Sequence, residues 1–247
     1  MFVIMSGMLI TFFLILHYLP NDMTFTSALH IAGANDKMNI VNFSFDPEEK
    51  YTFWSGITGG FFLALAYFGT DQSQVGRYLS GKSVRESQMG LIMNGLLKVP
   101  MQFFILLTGV MVFVFFQFNP VPLNFNPNNK AMIEKSAYKG EYNALEKKLG
   151  DLSEDKKVIN LLYIDQLNQD YDNPILRKEL VALSNKEKDL RDRAKEIILK
   201  ADSNSETNDK DYVFFHFILN YLPKGLIGLL LAVIISAAMS STASGLN

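Results

Sequence analysis

Apolar and charged residues are segregated along this chain rather than mixed. Residues 1–19, 53–68 and 91–118 are almost free of charge, and so is 212–238 apart from Lys224. A strongly charged block, 130–211, separates the third run from the fourth. A helix needs about 20 apolar residues to cross ~30 Å of hydrocarbon. The first run has that length, the third is long enough to tilt, and the second qualifies with its interfacial flanks. The pattern predicts four membrane helices, over about 1–19, 53–75, 89–118 and 212–247. These define a transmembrane region 1–119, an extracytoplasmic helical insertion 120–211 and a last span 212–247.

Within the charged block the periodicity changes. Asn119-Pro120-Val121-Pro122 and Asn126-Pro127-Asn128-Asn129 terminate a helix and set turns. Leu176, Leu180, Leu183, Leu190, Ala194 and Ile197 then recur at threes and fours, an amphipathic stripe that starts from Asn173-Pro174. Weaker helices are expected over 131–149 and 152–169. The prediction is a helical hairpin or bundle on the outer surface, joined to the membrane by a polar, mobile tether at 203–210.

Charge in the short connections sets the orientation. Arg77, Lys82 and Arg85 oppose Glu86 alone in one of them. Residues 20–52 carry Asp22, Asp36, Asp46, Glu48 and Glu49 against Lys37 and Lys50. The Lys/Arg bias places 76–88 in the cytoplasm, with 20–52 and 119–211 extracytoplasmic. The expectation is a multi-pass protein of the plasma (inner) membrane, in contact with lipid.

Composition narrows the chemistry. A net charge of −2 without a basic stripe argues against a nucleic-acid partner. With no cysteine there is neither a disulfide framework nor a thiolate metal site. His17, His30 and His216 have no partners at ligand spacing. The expectation is not an enzyme. The N-terminus lacks the basic region and cleavage site of a signal peptide. It opens inside an apolar run, and the chain stops just after a hydroxyl cluster, so a piece of a longer protein is expected.

Three features carry the functional reading. Ser236, Ser240, Ser241, Thr242 and Ser244 crowd the end of the last run. Hydroxyls at hydrocarbon depth can back-bond to their own helix. Serine oxygens with the Ala237 carbonyl also suit a loosely held alkali cation, whereas the small residues around them equally suit close helix approach. Gly56, Gly59 and Gly60 in the second run mark either helix packing or unwinding at a substrate site. Lys98, among Leu96, Leu97, Val99 and Pro100, either snorkels to the surface or faces an internal cavity.

The stretches Tyr67-Phe68-Gly69-Thr70-Asp71-Gln72-Ser73-Gln74-Val75-Gly76-Arg77-Tyr78-Leu79-Ser80-Gly81-Lys82-Ser83, Gly95-Leu96-Leu97-Lys98 and Ala237-Ala238-Met239-Ser240-Ser241-Thr242-Ala243-Ser244-Gly245-Leu246-Asn247 resemble the sodium:solute symporter family, sodium/glucose cotransporters among them. The resemblance implies an all-α membrane fold, part of a LeuT-type five-plus-five inverted repeat. These spans would be core helices five to eight, with 130–211 inserted between the seventh and eighth. It implies Na⁺ as the coupling ion, held by Ala237, Ser240 and Ser241, with further ligands from a first core helix outside this chain. Tyr67 matches an aromatic that closes over the solute, and Lys98 a lysine near the solute. Ala64 stands where sugar-transporting members often present a polar side chain. The function implied is sodium-coupled symport of a small polar solute, a sugar, sugar acid or similar, by alternating access. The alternative is a transporter-like sensor or anchored interaction protein, whose outer block meets an unknown protein partner.

Overall fold

The structure is a computed structural model that describes residues 2–38, 42–45, 52–72, 75–76 and 83–246. All regular structure among the described residues is helical: α1 (Phe2–Tyr18), α2 (Phe25–Ala34), α3 (Phe53–Leu65), α4 (Val84–Phe115), α5 (Pro127–Glu134), α6 (Lys139–Leu167), α7 (Pro174–Ala201), α8 (Lys210–Tyr221) and α9 (Lys224–Leu246). A π-helical turn, Ala66–Thr70, continues α3. The chain forms two compact units, Met1–Met38 with Thr108–Leu229, and Asn39–Leu107 with Leu230–Asn247. By length and composition α4 can cross a membrane; 5–18 of α1 and 224–239 of α9 are shorter apolar helices.

The first unit is built on the α6–α7 hairpin. Leu180, Leu183, Ala194 and Ile197 of the predicted stripe are buried, and Ala194, Ile197 and Ile198 pack with Leu123, Ile133, Tyr142, Leu145 and Leu149. The sequence predicts two weaker helices over 131–149 and 152–169. Instead α5 is short and α6 runs unbroken through Gly150, because the apolar positions keep one face supplied on both sides of it. Asn126 and Asn173 cap α5 and α7 through their side-chain oxygens, each followed by Pro at the first helical position.

Charge fastens the hairpin. Lys156, buried on α6, meets the Glu187 carboxylate of α7 at 3.0 Å, and Arg191 meets the other oxygen of Glu187 at 3.0 Å. Arg191 also donates to the carbonyls of Pro122 and Leu123 and lies over the Phe125 ring. The hairpin is thus tied to the segment that leaves α4. The region 203–210, expected to be a mobile tether, is pinned to that segment as well. The Phe125 amide donates to Asp209, and the Asn129 side chain donates to the Glu206 carbonyl.

One element is absent from the prediction. α2 forms within 20–52, capped by Thr24, whose hydroxyl accepts from the Ser27 amide. It buries Ala28, Ile31 and Ala32. Asn168, at the α6–α7 turn, donates to the Asp22 carbonyl and accepts from Ser27, while Ser184 donates to Asn35. The region after α1 and the hairpin therefore form one body.

The expected last span is divided at Leu222-Pro223, between α8 and α9. Proline forces the residue before it out of the helical region, and Leu222 is extended at φ −85° and ψ 149°. The Tyr221 carbonyl, freed by the break, accepts from the Tyr18 hydroxyl at 3.2 Å. Phe115 joins the same corner, with its ring centroid 4.7 Å from Tyr221, 5.0 Å from Phe217 and 6.3 Å from Tyr18.

Burial raises the pKa of Glu187, but Lys156 and Arg191 outweigh it and hold the carboxyl below its ordinary value of 4.5. A folded-state pKa below the unfolded one stabilises the fold fully above the ordinary value, and that stability is lost as pH falls through the folded value. Glu187→Ala strands the buried Lys156 charge and is expected to cost about 2–4 kcal/mol in opening of α6–α7, read by hydrogen exchange. Acidification below about pH 4.5 should erode the wild-type opening energy more than that of Glu187→Gln; equal slopes would contradict this assignment.

Candidate functional site

All the candidate site residues fall in the second unit, on α3, α4 and α9. α3 starts at Thr52, whose hydroxyl accepts from the Ser55 amide while the Ser55 hydroxyl accepts from the Thr52 amide. The Phe53 amide donates to the Asn42 carbonyl, and Phe43 and Phe45 lie against Phe53 and Trp54. This aromatic collar fixes the start of the helix that carries Ala64 and Tyr67.

The helix widens where the family-like stretch begins. In the π turn the Asp71 amide donates to the Ala66 carbonyl at 2.9 Å, and the Thr70 hydroxyl donates to the same oxygen at 3.0 Å. The widened turn closes the helix, since Asp71 after it is extended at ψ 103°. The sequence pattern marks the end of the apolar run at Gly69-Thr70 but not this widening. Its local signal is the threonine, which supplies a second donor to one carbonyl.

Tyr67, on that turn, meets Lys98 of α4. The Lys98 Nζ stands 5.5 Å from the centroid of the Tyr67 ring, so the two residues that the resemblance singled out are brought together. Phe68 stands edge-on to Tyr67 at 5.0 Å. α4 continues through Pro100 without interruption. Proline removes the hydrogen bond to the Leu96 carbonyl and so loosens the turn that holds Lys98.

Ala64 is exposed and lines a separate shallow recess of about 310 Å³ with Phe61, Leu65, Phe68 and Gly69. That recess is apolar. The other half of the predicted set is on α9, which carries Ala237, three and four residues before Ser240 and Ser241. Ala237 is exposed; the side chains of Ser240 and Ser241 lie outside the described residues. Thr242 does what hydroxyls at hydrocarbon depth are expected to do, donating to the Ala238 carbonyl at 2.9 Å. Among the described residues no group of three His, Asp or Glu side chains could hold a metal ion.

The glycines of α3 are open. A Cβ added at Gly56, Gly59 or Gly60 meets nothing within 4 Å, so these residues do not serve close packing among the described residues.

Comparison with known proteins gives the class. The chain is 32% identical to the human sodium/iodide cotransporter over 66 residues, which is 27% of this chain and 10% of that protein. It is 34% identical over 70 residues to mouse sodium-coupled monocarboxylate transporter 2, covering 28% of this chain and 11% of that protein. A putative sodium-dependent multivitamin transporter of Drosophila melanogaster is 38% identical over 61 residues, 25% of this chain and 10% of that protein. No family model matches the chain, and no solved structure matches it. The class these relatives define is the sodium-coupled membrane transporter. Over the matched part, which spans about a tenth of the length of these relatives, the chain is similar to members of the sodium:solute symporter family. None of these three names a sugar, so the expected sugar or sugar-acid solute is not supported by them.

Replacing Gly59 or Gly60 by Ala is expected to strengthen α3 by about 0.5–1 kcal/mol, the entropic cost of a helical glycine. Protection of α3 amides from exchange measures it. Lower protection in the variants would show that a partner element packs against these glycines.

Proposed function

We propose that this chain is part of a sodium-coupled secondary symporter that imports a small polar solute across the plasma membrane. The observation that carries this reading is the likeness to transporters whose names all specify sodium coupling. In it, the helices are core elements five to eight of a LeuT-type inverted repeat, and the hairpin is an insertion on the outer side. Packing of α2 on the hairpin supports one part of that topology, since regions in contact with each other belong on one side of a membrane.

The division of labour rests on the chemistry of each group. Ser240 and Ser241 hydroxyls with the Ala237 carbonyl bind Na⁺ as cargo, beside ligands from elements outside this chain. Neutral oxygens without a carboxylate hold an alkali ion weakly enough to release it, and suit calcium poorly. Tyr67 and Lys98 face the solute. Sodium and solute each bind the outward-open arrangement better than the alternative, and that shared preference is the coupling. The sodium gradient and membrane potential drive the cycle.

Ser241→Ala in the whole transporter removes one oxygen from a charged ligand. Such contacts are worth about 1.5–3 kcal/mol, so the half-saturating sodium concentration for uptake should rise about tenfold or more. An unchanged sodium curve would remove Ser241 from the ion site.

A further inference from the structure

The break at Leu222-Pro223 separates α8 from α9, and α9 does not need α8 to cross a membrane. Its 23 residues rise about 34 Å, against ~30 Å of hydrocarbon. That leaves α8, 12 residues rich in aromatics, without a share in the span. Its three faces differ. Phe217 is buried, and with Tyr221 it packs on Phe115. His216 and Asn220 form a polar edge, where the Asn220 amide donates to the His216 carbonyl at 2.8 Å. Phe214, Phe215, Ile218 and Leu219 share the remaining face, one turn above the other. Phe214, Phe215 and Leu219 are 44%, 54% and 62% exposed, a cost that water would not repay.

Neighbouring elements fix the level at which α8 sits. The carbonyl of Tyr221, its last residue, accepts from the hydroxyl of Tyr18, the last residue of α1. Phe115, against Phe217 and Tyr221, is the last residue of α4. The 32 residues of α4 rise about 48 Å, so this helix outlasts the hydrocarbon. α8 therefore lies where two apolar helices end. Tyr18 and Tyr221 are of the type that gathers at a membrane–water boundary, and Lys224, exposed at the start of α9, suits lipid phosphate.

We propose that α8 is an interfacial helix, which docks Phe214, Phe215, Ile218 and Leu219 into lipid at the boundary between headgroups and acyl chains. Helices of this kind bury the apolar side about 5–10 Å deep and keep a polar side out. Lipid is the occupant because only two residues join α8 to α9, so the exposed face stays at the bilayer surface. Through Asp209, just before α8, which accepts from the Phe125 amide, the same anchor holds the outer hairpin to the membrane. This placement depends on the membrane reading of α4 and α9, and not on sodium coupling.

Photolabelling of the whole transporter that contains this chain, in phosphatidylcholine vesicles, tests it. One photoreactive phosphatidylcholine carries its diazirine next to the headgroup and another at the end of the acyl chain; mass spectrometry locates the labels. The headgroup-proximal probe should label Phe214, Phe215, Ile218 or Leu219, and the chain-end probe should label α3, α4 or α9 but lose all label on α8. Chain-end label on α8 as strong as headgroup-proximal label would make α8 part of the span and overturn the proposal. No label on α8 from either probe would overturn it too, because water or another protein segment would then cover that face. Absence of chain-end label from all of α3, α4 and α9 would instead contradict the membrane reading itself.

Discussion

Hydrocarbon offers no hydrogen-bond partner, and that constraint shapes the apolar runs of this chain. Backbone groups must be satisfied within each segment, which suits the apolar runs to helix. The same rule governs side chains. Thr11 donates to Gly7, Thr58 to Trp54, Thr70 to Ala66 and Thr242 to Ala238, each returning its hydroxyl proton to a carbonyl four residues earlier. Where the helix does break, at Leu222-Pro223, the Tyr18 hydroxyl supplies the missing donor. In the symport reading, the Ser240 and Ser241 hydroxyls and the Ala237 carbonyl serve the ion.

The charged block has a different physics. Its stability comes from an apolar stripe closed on itself and from one ionic node, Lys156–Glu187–Arg191, where the carboxylate accepts from both cations. Arg191 spends its remaining donors on the carbonyls of Pro122 and Leu123, which links a surface hairpin to the end of α4. Tyr142 lies in the same core, and burial, with Glu146 nearby, pushes its hydroxyl up to about 12. It stays neutral across the working range, as a core tyrosine should. The block is thereby a folded body rather than a decorated loop.

Much of this is legible in the residues. Leu180, Leu183, Ala194 and Ile197 are buried where the threes-and-fours spacing puts them, and the Asn-Pro pairs start the helices they announce. α2 is not legible, because ten residues capped by one threonine make a weak periodic signal until the hairpin buries them. The region 203–210 looks mobile by composition, yet one carboxylate and one carbonyl with specific donors are enough to pin it. The division at Pro223 is written in the sequence and hidden by the apolar residues on both sides. The Tyr67–Lys98 pair can be named from resemblance, but its contact joins two elements about thirty residues apart in the chain, which no residue spacing encodes.

Together, α9 and the Tyr67–Lys98 pair describe a protein proposed to hold an ion and a solute with groups that give both up again. The most direct test is equilibrium binding of radiolabelled sodium to the purified whole transporter that contains this chain. Saturable binding, displaced by unlabelled sodium and untouched by potassium or choline, is the predicted result. Absence of saturable sodium binding, or displacement by potassium as readily as by sodium, would contradict it.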